Sequence, residues 1–328
     1  MIYLEKDPGR DFVILNLSDP QLQNEDWENG KSDVLSETVK VLVESVRPDL
    51  ITVSGDLAQA GHLDSYAKLA DLLASFGVPW APIFGNHDEM NGEGPVRDAV
   101  EVMAKRSGFT FEAGPEELGI GNYIVLVSEG DRPVHAVFLV DTHDMKPWVN
   151  EKGEISKGYS DLSEEQIKWY RETIGELKKK GVPESTMIMH IPAYTYNLAI
   201  AAAIKPGVDP YSVDSAEGAQ TDCWAEGYED SFGVMRDVSS YPEDNGFFDV
   251  VLEKDHTKTL IAGHNHASNF SVNYRGVRFV FSLKAGPGWD WDENSNGGTV
   301  IKINSGGKAT VAHRYVNPDK LNLRRMKK

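Results

Sequence analysis

The chain has 328 residues, 40% of them hydrophobic, with 12 Phe, 12 Tyr and 7 Trp. That is enough to bury a sizeable core, and too apolar for a disordered chain. Its 33 basic and 51 acidic side chains leave a formal charge of −18, which excludes a general attraction to nucleic acid or to anionic membranes. Cys223 is the only cysteine, so neither a disulfide framework nor a thiolate cluster can form, and any metal site must use His, Asp, Asn or Gln.

Met1 to Asp11 is charged and lacks a long apolar run, so it does not read as a signal peptide, and no run of 18 or more apolar residues follows. The expected location is cytoplasmic, although export with a trimmed signal fits the same sequence. Phe12 to Leu17 reads as a buried strand ending in Ser18-Asp19-Pro20. Asp33 to Val46 has helical spacing, with Val34, Leu35, Thr38, Val39, Leu42 and Val46 on one face, and Pro48 stops it. Leu50 to Val53 is a second strand, ending in Ser54-Gly55-Asp56. Leu63 to Phe76 is a helix closed by Gly77 and Pro79. Trp80 to Phe84 is a third strand, ending in Gly85-Asn86-His87-Asp88. This alternation implies right-handed crossovers and a largely parallel sheet, whose ligands bind at the carboxyl ends of the strands.

Val96 to Arg106 is predicted helical. Tyr123 to Ser128 and His135 to Val140 form an antiparallel pair around Gly130-Asp131. Ser163 to Gln166 is a capping box opening a helix to Lys180, and Ser185 to Met189 is a strand ending at His190. From Tyr194 to Asn245 the periodicity breaks down. A stretch of that length reads either as a lid or binding insert, or as a surface excursion. Gly246 to Glu253 is a helix, and Thr259 to Ala262 a strand ending in Gly263-His264-Asn265-His266. Phe270 to Ser282 and Gly298 to Tyr315 alternate as antiparallel strands, and the basic tail to Lys328 is expected to fray. No repeat or linker is evident, so residues 1–328 read as one domain with an insert at 194–245.

Five strand ends therefore carry polar clusters: Asp19-Pro20-Gln21, Gly55-Asp56, Gly85-Asn86-His87-Asp88, His190 and Gly263-His264-Asn265-His266. A two-metal centre needs a bridging carboxylate plus imidazole and oxygen donors to fill each shell. His264 and His266, at i and i+2, would share one face of a continuous strand. His143, in Asp141-Thr142-His143-Asp144, also follows a strand; a solvated-loop reading stands beside an approach to the site. His62, His135, His256 and His313 have no partner motif and read as structural.

This set resembles the calcineurin-like metallophosphoesterase family, whose pattern is Asp-x-His, Gly-Asp, Gly-Asn-His-Asp/Glu, a lone His after a strand, and Gly-His-x-His. The resemblance spans Asp19 to His266. It implies an α/β fold of two mixed β-sheets packed as a sandwich and flanked by helices, four layers in αββα order, with the metal site at the strand C-terminal ends. It also implies hydrolysis of a phosphoester, monoester or diester, by two divalent metal ions. Asp19 and His266 would bind the first ion, Asp56 would bridge, and Asn86, His190 and His264 would bind the second. His87 would protonate the leaving oxygen, and Asp88 would orient His87.

Two positions depart from the pattern. Gln21 stands where histidine is common, although some branches carry Asp-Pro-Gln. An amide oxygen is a harder, weaker donor than imidazole. The first site should therefore be looser, with Mn favoured among Mn, Fe, Zn and Mg. Gln59 stands where purple acid phosphatases carry a tyrosine ligand, three residues after the bridging aspartate, so no iron–tyrosinate colour is expected. His190-Ile191-Pro192 and Asn245-Gly246-Phe247-Phe248 nevertheless look like a branch named after those enzymes. The expected partner is a small phosphoester, with no nucleic acid and no membrane; oligomeric state is not specified. Tyr194, Tyr196, Asn197, Trp224, Tyr228 and Gly286-Pro287-Gly288-Trp289 are candidate pocket walls, with ordinary loop packing as the other reading. A non-catalytic scaffold of the same fold is the rival class.

Overall fold

A computed structural model describes residues 1–90, 93–209 and 223–321. The elements run β1 (Ile2–Glu5), β2 (Phe12–Leu17), α1 (Lys31–Val46), β3 (Leu50–Ser54), α2 (Leu63–Ser75), β4 (Trp80–Ile83), α3 (Asn86–Glu89), α4 (Glu93–Met103), β5 (Tyr123–Glu129), β6 (Arg132–Val140), β7 (Met145–Val149), β8 (Ile155–Tyr159), α5 (Glu164–Lys179), β9 (Glu184–Met189), α6 (Thr195–Ala203), α7 (Phe247–Lys254), β10 (Thr257–Ala262), β11 (Ser271–Tyr274), β12 (Val277–Phe281), β13 (Gly297–Ile303) and β14 (Ala309–Tyr315). They build a five-stranded sheet, β14-β13-β2-β3-β4, a seven-stranded sheet, β1-β5-β6-β9-β10-β12-β11, and the hairpin β7-β8. Both large sheets are mixed: β2, β3 and β4 are parallel, as are β6, β9 and β10, while β13 runs against β2 and β5 against β6.

Strand alternation explains the layering. Phe12 and Ile14 of β2 meet Val137 and Leu139 of β6, and Ile188, Ile261 and Val280, in a core between the sheets. Leu15 and Leu17 point the other way, onto Leu35, Val39 and Leu42 of α1 and onto Leu69 and Leu73 of α2. Ala136, Phe138 and Val140 of β6 likewise turn outward, onto Tyr170 and Ile174 of α5 and onto Phe247 and Val251 of α7. The result is the expected four-layer αββα sandwich. Each fully buried Leu, Ile or Phe contributes about 1.5–3 kcal/mol.

The helix boundaries have local causes. The α5 capping box forms as read: Ser163 Oγ accepts from Gln166 N at 3.2 Å, and Ser163 N donates to Gln166 Oε1 at 2.8 Å. Arg47 ends α1 in a left-handed turn (φ 52°) before Pro48.

Several elements escape the sequence reading. β1 pairs in parallel with β5, although only four residues of it alternate. The β7-β8 hairpin alternates exposed and half-buried residues without a strong apolar face. Residues 195–203, inside the stretch read as irregular, are helix α6. Tyr196, Ala199, Ile200 and Ala203 are buried there. A short helix apolar on most sides shows no period. Residues 210–222 of the insert and 322–328 of the basic tail, with the fraying expected of it, lie outside the described residues. No helix among the described residues is long and apolar enough to cross a membrane.

Candidate metal centre

The C-terminal ends of β2, β3 and β4 in one sheet meet those of β9 and β10 in the other. Backbone bonds fix neighbouring strand ends within each sheet: Asp19 N to Gly55 O at 3.2 Å and Gln21 N to Asp56 O at 2.9 Å in one, and Gly263 N to His190 O at 3.1 Å in the other. His190 Nδ1 sits 2.9 Å from Ser54 O, tying the two sheets together at the site. Its Nε2 lies 3.1 Å from Asn86 Oδ1 and 3.2 Å from Asp56 Oδ1. Asp19, Asp56 and His190 place one donor atom each within 4.8 Å of one another, all buried. His266 Nε2 lies 3.4 Å from Asp19 Oδ1, and its Nδ1 is 3.1 Å from Asp290 O. Gln21 Nε2 approaches Asp56 Oδ2 at 3.3 Å.

Two donors face nothing. Gln21 Oε1 and His264 Nε2 are buried with no hydrogen-bond partner. A buried polar atom left unpaired costs about 1–3 kcal/mol. Both atoms belong to residues with hard or borderline donors, which is what divalent ions accept. The backbone is strained at the same places. Asp19 (φ 52°), Gln21 (45°), Asp56 (49°) and His264 (77°) all occupy the left-handed region without being glycine, a cost of roughly 1 kcal/mol or more apiece. The residue set therefore fits a pair of divalent ions.

Glycines make room for this crowding. A Cβ on Gly85 would sit 2.3 Å from Asp56 Oδ1 and 2.6 Å from His190 Cδ2. One on Gly55 would sit 2.4 Å from His190 Nδ1, and one on Gly263 2.3 Å from Ser18 Oγ.

The electrostatics favour a cation. Burial pushes the Asp19 carboxyl up, but His266, His190 and Lys284 outweigh it and hold it below the usual carboxylate range. Asp56 is held down in the same way, chiefly by His190 acting against burial. Burial opposes charge on His190, yet Asp56 and Asp19 raise it to about 9. His264, desolvated and next to His190, falls to about 3. Two ionised carboxylates and a neutral imidazole are the forms that bind metal, and a proton must leave His190 for it to join them.

Some expectations need correction. Asp88 does not orient the His87 ring. Its buried carboxylate accepts from Tyr66 Oη (2.6 Å), Gly85 N (2.9 Å), Leu57 N (3.1 Å) and Ala58 N (3.2 Å). It thus holds the two turns that carry Asp56 and His87. The group beside the ring is Gln59, whose Oε1 is 3.2 Å from His87 Nδ1. Gln59 was legible only as a missing tyrosine. His264 and His266 do not share a strand face, because β10 ends at Ala262 and the chain turns through a left-handed His264. His143 is not simply solvated: its Nδ1 lies 3.3 Å from Asp141 Oδ2, and Glu89 completes that second cluster. Burial, then Asp141, pushes the Glu89 carboxyl up to about 11, so it is held protonated.

A cavity of about 480 Å³ opens over the centre, lined by Asp56, Asn86, His87, His264 and His266 on one side. Tyr159, Ser239, Trp289, Asp290, Trp291 and Asp292 also line it. Trp289 was a candidate wall. Tyr196 and Trp224 instead are buried in the core outside the seven-stranded sheet, Tyr228 packs against that core, and Asn197 bonds Ser240 Oγ. Neither these residues nor Tyr194 line the cavity. His135, His256 and His313 are structural as read, bonding Gly307 O, Val182 O and Asn269 O. His62 takes the Asn24 N–H.

A fold of two mixed sheets with His, Asp, Asn and Gln donors gathered where their strands end is the arrangement expected of the calcineurin-like phosphoesterases. Residues 12–268 match the family model described as calcineurin-like phosphoesterase, and the chain belongs to that family. It is 24% identical over 268 residues to a probable inactive purple acid phosphatase 28 of Arabidopsis thaliana, covering 73% of this chain and 59% of that protein. It is 34% identical over 94 residues to a 3′,5′-cyclic adenosine monophosphate phosphodiesterase of Pseudomonas aeruginosa, covering 27% of this chain and 34% of that one. A dimetal phosphatase of Danio rerio superimposes with a TM-score of 0.51 at 13% identity, covering 92% of this chain and 98% of that one, which shows the shared fold. The chain spans 42–60% of the length of the curated relatives that it matches over most of its own length.

Proposed function

We propose that the pocket holds two divalent ions and hydrolyses phosphoesters. Asp19, Gln21 and His266 would hold one ion, Asn86, His190 and His264 the other, with Asp56 between them. The observation that carries this reading is the convergence of these seven side chains on one seam, where Gln21 Oε1 and His264 Nε2 are buried without partners. When bound, the ions neutralise phosphate charge and activate water for attack. With the two carboxylates at roughly −2 and the ions at roughly +4, the site is positive inside an acidic protein.

The chain's own residues do the rest. His87 N donates to Asp56 Oδ1 at 2.9 Å, fixing the His87 backbone to the bridging carboxylate. Gln59 Oε1 accepts from Nδ1–H, which leaves Nε2 to carry a proton for the departing oxygen. Manganese is the preferred metal, because Gln21 supplies an amide oxygen where imidazole would favour zinc.

A non-catalytic scaffold is the second reading, favoured by the Arabidopsis relative's description as probably inactive. Hydrolysis of an aryl phosphate and its bis-aryl diester with manganese separates the two. Turnover that falls at least about 100-fold in His87→Ala supports catalysis. No turnover of either ester, with wild type equal to His87→Ala, supports the scaffold.

A further inference from the structure

The wall of the cavity beside the proposed centre has an unusual chemistry for a phosphate site. Trp289, Trp291 and Tyr159 line it together with Asp290 and Asp292, and among the described residues no Lys or Arg does. Trp289 is 54% exposed, far more than a tryptophan packed for stability. Its ring centroid is 5.9 Å from that of His87, so it stands where the group leaving phosphorus would emerge. Trp289 (φ 35°) and Asp290 (φ 20°) are held in left-handed backbone, which marks this turn as one fixed by its surroundings. Trp291 Nε1 is buried without a partner. Among the described residues neither Asp290 nor Asp292 forms an ion pair. The Asp292 carboxylate accepts Asn294 N at 2.9 Å, and Asp290 bears electrostatically on buried Lys284.

An indole face attracts organic cations, and nearby carboxylates strengthen that attraction. The same carboxylates repel a second phosphate or a carboxylate on the substrate. We propose that the preferred substrate is a phosphoester whose alcohol half carries an alkylammonium group, seated against Trp289 with Asp290 and Asp292 as counter-charges. This rests on the phosphoesterase reading above. The reaction is ordinary hydrolysis: water oxygen bonds to phosphorus and gives up one proton to solvent, the phosphorus–oxygen bond to the alcohol breaks, and the alcohol oxygen takes its electron pair and a proton from His87, which solvent then replaces. The ammonium group takes no part in the chemistry.

The test compares esters that differ only in one atom. Phosphocholine is set against 3,3-dimethylbutyl phosphate, and glycerophosphocholine against its 3,3-dimethylbutyl isostere, with alcohol release measured in manganese at low salt. For whichever pair is turned over, kcat/KM should favour the cation by about 5-fold or more. That ratio should fall to within about twofold in Trp289→Ala and decline in the Asp290→Asn, Asp292→Asn double variant. A wild-type ratio below that mark overturns the proposal, as does a ratio that survives Trp289→Ala. Hydrolysis of aryl phosphates with neither choline ester turned over also overturns it while leaving the phosphoesterase reading intact; no hydrolysis of any ester removes both. A readout free of catalysis is saturation-transfer NMR of choline methyl protons on metal-free protein. Transfer seen with wild type and lost in Trp289→Ala supports the seat, and equal transfer in both contradicts it.

Discussion

Gly85→Ala separates crowding at the centre from backbone strain. Gly85 has φ −120° and ψ 179°, ordinary extended geometry that alanine adopts freely. The whole effect must therefore come from the added methyl group. Its carbon would lie 2.3 Å from Asp56 Oδ1 and 2.6 Å from His190 Cδ2, where non-bonded carbon needs about 3.5 Å. Asp56 N would lie 2.6 Å away as well, so the Asp56 turn must retreat along with the side chains by about 1 Å, several times the tolerance of roughly 0.2 Å on a metal–donor distance. Overpacking of this kind costs about 1–3 kcal/mol of stability. Metal affinity should fall on the order of 10–100-fold, as it does when groups supporting metal ligands are disturbed. The assay is a thermal melt in EDTA paired with a manganese titration. Gly175→Ala is the control, since nothing lies within 4 Å of its added Cβ in α5; it should stabilise by about 0.5–1 kcal/mol. A Gly85→Ala protein that melts and binds manganese like wild type would refute the close packing of Asp56 on the Gly85 turn.

Other substitutions probe other parts. Gln21→His should shift metal content toward zinc after exposure to mixed metals, and unchanged occupancy and preference would contradict a weak first site. Tyr66→Phe removes one of four donors to the buried Asp88 carboxylate and should cost about 1.5–3 kcal/mol in urea unfolding; no loss would mean that the three backbone donors suffice. Burial holds His135 and His313 down to about 4. Because the folded values lie below the unfolded value of about 6.5, the unfolded chain binds more protons in that window. Stability should be full above pH 6.5 and fall as pH drops toward 4, by on the order of 3 kcal/mol per histidine. His135→Gln should flatten the slope of urea midpoint against pH, and an unchanged slope would contradict its burial in neutral form.

The strand ends were legible because three things coincide at each: an apolar run, a turn residue, and a side chain with a lone pair to offer. Asp19, Asp56, Asn86, His190, His264 and His266 all follow that rule. Contacts between side chains were less legible. Asp88 sits next to His87 in the chain, yet a helical turn carries its carboxylate back toward Tyr66 and the Leu57 N–H. Gln59 reaches His87 from another turn, a proximity no local pattern encodes. Buried Lys284, lowered to about 8 by desolvation against Asp19 and Asp56, left only one trace, a cation after the apolar run Phe279–Leu283. Helix α6 was missed because its exposed residues Leu198, Ala201 and Ala202 are as apolar as its buried face, and the β7-β8 hairpin because it buries almost nothing, so neither shows the periodicity that reveals an element.

The dinuclear centre is tested most directly by counting ions. After dialysis against manganese and removal of free metal, elemental analysis should find two ions per wild-type chain and fewer than one in Asp56→Asn, whose bridging charge is gone. A wild-type chain that holds no ion, or an Asp56→Asn chain that keeps both, would contradict the account.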